Sequence, residues 1–278
     1  LYVVDSRGRD RAGLFAVDTD AGARTLVFED PRVDVGDGLA HPVTGAIQAV
    51  VVRYLNPEWK VLDPAIAEDF AYLKTLADDG EFAVDVRTQD DRYWIVRIGS
   101  SRSSEKTYLY DRPIGHAALW FDTQPAWTNL PFAPTHGVEI ESRDGLTLPS
   151  YYILPPESDA DGDGIPETPV PMVLRVHGGP WARDDGRMNE LNQWLVNRGY
   201  TVLTVNFRGS TGFGKAFVNA GNLEWGGKMQ DDLLDAVSWM ERRGIARPGK
   251  SAILGASYGG YAALAGLTLT PKAFACGI

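Results

Sequence analysis

The 278-residue chain contains one cysteine, Cys276, and only four histidines. A single cysteine excludes an internal disulfide framework and any metal site built from several cysteines. No apolar run approaches the roughly 18 residues of a membrane-spanning helix. Positive charge is also scarce, because 27 Lys and Arg face 37 Asp and Glu, for a net charge of −10. Such a chain repels phosphate backbones and anionic lipid, so we expect neither nucleic acid nor a membrane as a partner.

The remaining composition is that of an ordinary globular protein, with 44% hydrophobic and 23% charged residues, which excludes wholesale disorder. The chain starts at Leu1 within a strand-like run, and residues 274–278 also have a strand pattern. We therefore expect an internal piece of a longer protein. A single cysteine fits a cytoplasmic, periplasmic or secreted protein equally well, and the sequence predicts no oligomeric state.

Residues 1–125 have the pattern of a β-rich region. Apolar runs at 14–17 and 24–28 flank the turn-forming segment Asp-Thr-Asp-Ala-Gly, which predicts a hairpin. Further strand-like runs follow at 47–55, 59–62, 81–88, 93–98 and 107–110. Short strands at this spacing are typical of a sandwich or of propeller blades, and no strict repeat decides between them.

One helix is predicted among these strands. Asp63 is a favourable N-cap, and Pro64 suits the first helical position. The segment that follows has apolar residues at helical spacing, namely Ile66, Phe70, Leu73 and Ala77.

Strands and helices alternate in the second half of the chain, for which we predict a domain over 126–278. Compact apolar runs predict buried strands at 150–154, 172–176, 201–205 and 251–254. Helical patterns lie at 187–198, 228–243 and 258–269, the first with Leu191, Trp194 and Leu195 as its apolar residues. This order predicts a parallel sheet with helices on both faces. The proline-containing stretch 122–135 is the expected boundary.

The strongest chemical motif is Gly-Ala-Ser-Tyr-Gly-Gly at 255–260, between a predicted strand and a predicted helix. A G-x-S-x-G sequence in that context is a nucleophile elbow, a tight turn that exposes a serine hydroxyl above a sheet. Gly255 and Gly259 suit the crowding at such a turn. The positive end of the following helix favours developing negative charge. We therefore predict Ser257 as a nucleophile.

The second motif, His-Gly-Gly-Pro at 177–180, follows the predicted strand 172–176. A glycine-rich turn at this point supplies a backbone N–H to the oxyanion hole of α/β-hydrolases, and the N–H of Tyr258 would be the second donor. His177 is a candidate catalytic base because it lies within this motif. In this fold, however, the base follows the serine in the chain, so we interpret His177 as a structural residue.

Two other segments have simpler interpretations. The glycine-rich stretch 206–214 lacks the lysine of a P-loop, which favours a loop lining a cleft. Asp159, Asp161 and Asp163 with Gly164 resemble the start of a calcium loop, but Val170 occupies the twelfth position, where a glutamate belongs. A solvated acidic loop is the favoured interpretation, calcium binding stays open, and we expect no metal or cofactor.

Four segments together resemble the prolyl oligopeptidase family of serine peptidases, especially its acylaminoacyl-peptidase and dipeptidyl-peptidase-like bacterial members. They are His-Gly-Gly-Pro-Trp-Ala-Arg-Asp at 177–184, Asn-Phe-Arg-Gly-Ser-Thr-Gly-Phe-Gly at 206–214, Glu-Trp-Gly-Gly-Lys-Met-Gln-Asp-Asp at 224–232 and Gly-Ala-Ser-Tyr-Gly-Gly-Tyr-Ala at 255–262. Ser-Arg-Asp-Gly-Leu at 142–146 resembles the family's entry strand into the hydrolase domain. The resemblance is dense over 138–278.

The resemblance implies a partial α/β-hydrolase domain preceded by the last blades of a β-propeller, which screens peptide substrates by size. It implies Ser257 as nucleophile, with the N–H groups of Tyr258 and Gly179 as oxyanion donors. Tyr258 would also form a wall of the pocket for the residue before the scissile bond. Arg208 and Trp225 match family motif positions to which we assign no catalytic step.

One departure from the family pattern is decisive for activity. The family's catalytic order is Ser, Asp, His, but His41, His116, His136 and His177 all precede Ser257. We therefore expect the triad Asp and His outside this chain, and the chain alone to be inactive. A carboxylesterase on the same scaffold and a non-catalytic binding module are the alternatives.

Overall fold

The computed structural model describes residues 1–278, which form two compact units. The first unit comprises residues 1–53 and 57–131, and the second comprises residues 54–56 and 132–278. None of the helices combines the length and the apolar character that crossing a membrane requires.

The first unit is built from antiparallel sheets. Its strands and its helix are β1 (Tyr2–Asp5), β2 (Gly13–Val17), β3 (Arg24–Phe28), β4 (Gly38–Ala40), β5 (Ile47–Arg53), β6 (Pro57–Val61), α1 (Ala67–Ala77), β7 (Glu81–Arg87), β8 (Tyr93–Ser100), β9 (Ser103–Asp111) and β10 (His116–Asp122). They form two three-stranded sheets, β1-β2-β3 and β4-β5-β6, and one four-stranded sheet, β10-β9-β8-β7. The pairing of β2 with β3 confirms the predicted hairpin.

The predicted cap is present, but it starts a 3-10 turn at Pro64, and helix α1 itself begins at Ala67. The side chain of Asp63 accepts a hydrogen bond from the N–H of Ala65, and Pro64 opens a short 3-10 turn that leads into the helix. Phe70 and Leu73 are then buried in the core of the first unit. The same core contains Trp94, which is fully buried.

The second unit is an α/β structure around a six-stranded sheet. Its elements are β11 (Thr135–Glu141), β12 (Thr147–Ile153), β13 (Val170–Val176), α2 (Glu190–Val196), β14 (Thr201–Val205), α3 (Lys215–Asn219), α4 (Lys228–Arg242), β15 (Ala246–Gly255), α5 (Tyr258–Leu269) and β16 (Cys276–Gly277). The strand order is β11-β12-β14-β13-β15-β16. Strand β13 pairs parallel with β14 on one side and with β15 on the other, and β15 pairs parallel with β16.

The predicted wholly parallel sheet is wrong at its first strand. Strand β12 contains most of the predicted strand 150–154, and it pairs antiparallel with both β11 and β14. Nearly every residue of β12 is buried. It therefore has the continuous apolar pattern that is typical of parallel strands, although its direction is reversed.

Both faces of this sheet are covered. Val173 and Val202 pack with Val196 of α2 in one apolar cluster. Side chains alternate along a strand, so the next residues, Leu174 and Leu203, point to the opposite face, where they are also fully buried.

Helix α2 buries only Leu195 of its three predicted apolar residues. Leu191 is 43% exposed and Trp194 is 51% exposed, whereas Gln193 is buried. The side-chain amide of Gln193 donates to the carbonyl of Ala133 and accepts from its N–H. These two bonds turn a polar side chain inward.

Candidate active site

Ser257 lies on a strained turn between β15 and α5. Its backbone has φ +56° and ψ −121°, and α5 begins at the next residue. Positive φ is uncommon for residues other than glycine, and such strain persists only where the surroundings enforce it. Ser257 itself is exposed. The turn therefore presents its side chain to solvent at the start of a helix.

The two glycines beside Ser257 are required by crowding, as predicted. A Cβ at position 255 would lie 2.5 Å from the carbonyl oxygen of Gly259. A Cβ at position 259 would overlap the carbonyl oxygen of Val176, the last residue of β13. Any larger residue would push the turn away from the sheet.

The glycine pair after β13 lies directly against Ser257. A Cβ at position 178 would be 3.5 Å from the Cβ of Ser257 and 3.9 Å from its Oγ. Gly179 has φ +116°, and a Cβ there would come within 2.5 Å of the N of Trp181. The loop backbone and the serine hydroxyl thus lie next to each other.

The ring of His177 bonds and stacks on residues other than Ser257. Its ring is buried and stacks on Phe207, with centroids 4.5 Å apart and an interplanar angle of 16°. Its Nε2 is 3.0 Å from the Oγ of Ser210, and its Nδ1 is 2.8 Å from the carbonyl oxygen of Gly178. Burial lowers the pKa of His177, which favours the neutral imidazole.

The other histidines do not bond Ser257 either. His41 and His116 belong to the first unit. His136 lies on β11, where its ring stacks on Tyr152 with centroids 4.9 Å apart.

Tyr258 anchors an aromatic cluster beside the serine. It is 3% exposed, and its hydroxyl is buried without a hydrogen-bond partner. Its ring centroid lies 5.2 Å from that of Phe207, 4.9 Å from that of Trp225 and 5.9 Å from that of Tyr261. Burial raises the pKa of Tyr258, so its phenol stays protonated.

Arg208 is buried and forms an ion-pair network with the fully buried Asp232 and the exposed Asp144. Its guanidinium donates to Asp232 at 2.7 and 2.8 Å and to Asp144 at 2.7 and 2.9 Å. Its backbone N–H also donates to Asp232. The hydrogen bonds from Arg208 are the main reason why the pKa of Asp144 lies well below its usual range. The sequence places Arg208 in a motif, but its partners, 64 and 24 residues away, are visible only in the fold.

A second set of bonds joins the two motif loops. The N–H of Asp184 donates to Oδ1 of Asn206 at 2.8 Å, and Nδ2 of Asn206 donates to the carbonyl of Asp184 at 3.1 Å. Arg175 donates to the carboxylate of Asp184 at 2.7 Å. Residue 206 is therefore held to the loop that follows β13.

The acidic loop is a compact cluster away from these motifs in sequence. The carboxylate oxygens of Asp159, Asp161 and Asp163 lie within 4.8 Å of one another, close enough to hold a metal ion. Asp159 accepts from the N–H of Gly164, and Asp163 accepts from the N–H of Ile165. These bonds are those of a self-capped turn, which exists with or without an ion.

Comparison with known proteins gives consistent matches. Residues 188–278 match the sequence model of the prolyl oligopeptidase family. The dipeptidyl aminopeptidase BIII of Pseudoxanthomonas mexicana is 54% identical, over 100% of this chain and 40% of that protein. Dipeptidyl peptidase family member 6 of Caenorhabditis elegans is 38% identical, also over 100% of this chain and 40% of its own length.

The fold matches solved structures over nearly the whole chain. The crystal structure of a puromycin hydrolase superposes with a TM-score of 0.75 at 23% sequence identity, covering 99% of this chain and 42% of that one. The predicted fold class, a partial α/β-hydrolase domain preceded by a β-rich, propeller-like segment, is therefore confirmed. The chain spans about two fifths of the length of the curated relatives it matches.

Proposed function

We propose that this chain, which carries the sequence pattern and the fold of the prolyl oligopeptidase family, is part of a serine peptidase. Ser257 is the nucleophile that forms the acyl-enzyme. The backbone N–H groups of Tyr258 and Gly179 stabilise the oxyanion. In this proposal residues 126–278 contain the residues that cleave the substrate. Residues 1–125 belong to a propeller-like domain that admits only short peptides to the active site.

The observation that carries the proposal is the strained Ser257 beside the glycine pair. Ser257 holds φ +56° at the start of α5, and position 178 lies within van der Waals distance of its Oγ. A serine and two backbone segments in this arrangement suit attack on a carbonyl and stabilisation of the resulting negative charge. The backbone angles alone do not carry the proposal, because Asp78 has φ +53° and ψ −116° at the end of α1; their combination with the glycine pair does.

The proposed attack by Ser257 also requires a general base. A serine hydroxyl is a weak nucleophile until an adjacent base takes its proton. No histidine follows Ser257 in the sequence, and His177 bonds Ser210 instead. The triad Asp and His would therefore come from the part of the relatives that this chain does not cover. On its own, the 278-residue chain should not turn over substrate.

The substrate class follows from the named relatives. A dipeptidyl aminopeptidase and a dipeptidyl peptidase family member align with the whole chain, which supports short peptides as substrates. Tyr258 would form a wall of the pocket for the residue before the scissile bond, because its ring lies one residue from Ser257 within an aromatic cluster.

Two alternatives make different predictions. A carboxylesterase would use the same serine but cleave activated esters and no peptides. A non-catalytic binding module would leave Ser257 unreactive. Peptide turnover and covalent labelling thus separate the three functions.

The test uses a full-length protein that contains these 278 residues. An activated phosphonate should label Ser257, and Ser257→Ala should abolish labelling and lower peptide turnover by several orders of magnitude. Ser238→Ala, on helix α4, is the matched control and should leave both unchanged. Labelling at another serine would contradict the assignment.

A further inference from the structure

Phe207 lies between the two segments that would supply the oxyanion donors. Its side chain is fully buried. One face stacks on His177, which immediately precedes the glycine pair, with centroids 4.5 Å apart and planes inclined by 16°. The ring also stacks on Tyr258, which immediately follows Ser257, with centroids 5.2 Å apart and planes inclined by 30°. One flat ring thus contacts a residue next to each of the two proposed donor segments.

The backbone around Phe207 is held on both sides. Asn206 exchanges two hydrogen bonds with the main chain of Asp184, within the loop that follows β13. On the other side Arg208 donates both from its backbone and from its guanidinium to Asp232 on α4. The carbonyl of Phe207 accepts from Oγ of Ser210, which also contacts His177. The ring consequently has little freedom to shift.

This shared contact matters because the two donors belong to different elements, which otherwise meet through backbone contacts such as that of Gly259 with Val176. Gly179 follows a strand, whereas Tyr258 opens a helix, and no hydrogen bond of their own fixes their separation. An oxyanion hole is effective only when both N–H groups are held at hydrogen-bond distance from one developing charge. A displacement of a reacting or stabilising group by about 1 Å lowers the rate on the order of 100-fold.

We propose that Phe207 is a positioning residue that helps to set the separation between the N–H groups of Gly179 and Tyr258. This inference rests on the proposed function of Ser257. The flat, rigid ring stacks on both His177 and Tyr258, and the bonds of Asn206 and Arg208 hold it there. Phe207 acts through these two neighbours, each of which adjoins one proposed donor segment.

The test compares Phe207→Leu with Phe213→Leu in the full-length protein. Phe213 is a matched control, because it lies in the same loop and is 4% exposed, but it packs on Phe217 and Arg183 instead. Phe207→Leu should lower kcat about 10- to 100-fold and leave KM within about twofold, since only transition-state contacts are lost. The affinity for a peptide boronate, which mimics the tetrahedral state, should fall by the same factor. Phe213→Leu should change neither.

Several outcomes would overturn the proposal. A folded Phe207→Leu with the kcat and boronate affinity of Phe213→Leu would show that the ring is only packing. If Phe207→Leu does not fold, Phe207→Met refills the volume without a flat face, and it should show the same loss of kcat; an unchanged kcat contradicts the role. Wild-type protein in which a phosphonate does not label Ser257 would overturn the proposed function and this inference together. Normal labelling with an unaffected Phe207 variant would overturn this inference alone.

Discussion

Each unit contains an arginine whose guanidinium bonds two aspartates, and the two networks differ in their surroundings. In the first unit Arg112 donates to Asp69 and Asp91. In the second unit Arg208 donates to Asp144 and Asp232. The chemistry of the bonds is the same. The two arginines differ in their neighbours.

The network of the first unit surrounds a core tryptophan. The guanidinium groups of Arg87 and Arg112 lie 4.5 and 5.1 Å from the ring of Trp94. The indole N–H of Trp94 donates to Asp91 at 2.9 Å, and Arg87 bonds the same carboxylate. Each charge has more than one partner, so losing one bond leaves the others. We infer a purely structural role for this network.

In the network of the second unit, the buried aspartate has no second ion-pair partner. Asp232 is fully buried, and Arg208 is its only ion-pair partner. Arg208 is also the residue after Phe207, so the same bonds that neutralise Asp232 fix the ring beside Tyr258. The buried Arg208–Asp232 pair thus fixes a loop, whereas the Arg112 network packs around a core tryptophan.

The largest expected effect contrasts the two arginines directly. Arg208→Ala leaves the buried carboxylate of Asp232 unpaired, which typically costs about 3–5 kcal/mol of unfolding free energy. Arg112→Ala should cost less, about 1–3 kcal/mol, because Asp91 keeps Arg87 and Asp69 keeps the hydroxyl of Tyr110. Urea unfolding of the two variants measures the difference. Equal losses would remove the distinction between the networks.

A second contrast uses two glycines with positive φ. Gly179→Pro in the full-length protein removes one proposed oxyanion donor and cannot keep the φ of +116°, so kcat should fall by at least roughly 10²–10³. Gly115 in the first unit has φ +62° and open space around it, and Gly115→Ala should cost only backbone strain without changing kcat. Circular dichroism checks that the proline variant folds. A folded Gly179→Pro with normal kcat would mean that another group fills the oxyanion hole.

The smallest expected effect is a pH dependence in the second network. Hydrogen bonds from Arg208 hold the pKa of Asp144 below its ordinary value in the folded state. As the pH falls below about 4, the unfolded chain therefore binds this proton first, and the free energy of unfolding decreases. Asp144→Asn has no such proton to bind, so its stability should fall less steeply between about pH 5 and pH 2. Identical acid slopes for the two proteins would contradict this assignment.

Local patterns predicted the elements that local chemistry determines. Asp63 and Pro64 define the start of the helical segment before α1 by their own bonds. The strand–turn–helix order around Ser257 predicted helix 258–269, the bounds that α5 has. Both features depend on residues within one or two turns of the chain, so their spacing is visible in the sequence.

Features that depend on distant partners were not predictable in the same way. Gln193 is buried because it bonds Ala133, 60 residues earlier, and no spacing within α2 reveals this. Strand β12 has the apolar run of a parallel strand, but its partner β11 precedes it through a short turn. The link from Arg208 to Asp144 likewise exists only after the chain has folded.

The strained backbone at Ser257 has an evolutionary consequence. Holding a residue other than glycine in such a conformation costs on the order of 1–3 kcal/mol, and glycine at 257 would relieve most of it. Selection for stability alone would therefore favour loss of the hydroxyl. If the serine were not needed, a single substitution to glycine would therefore give a more stable protein. Proteins that keep the serine retain this small cost in folding free energy.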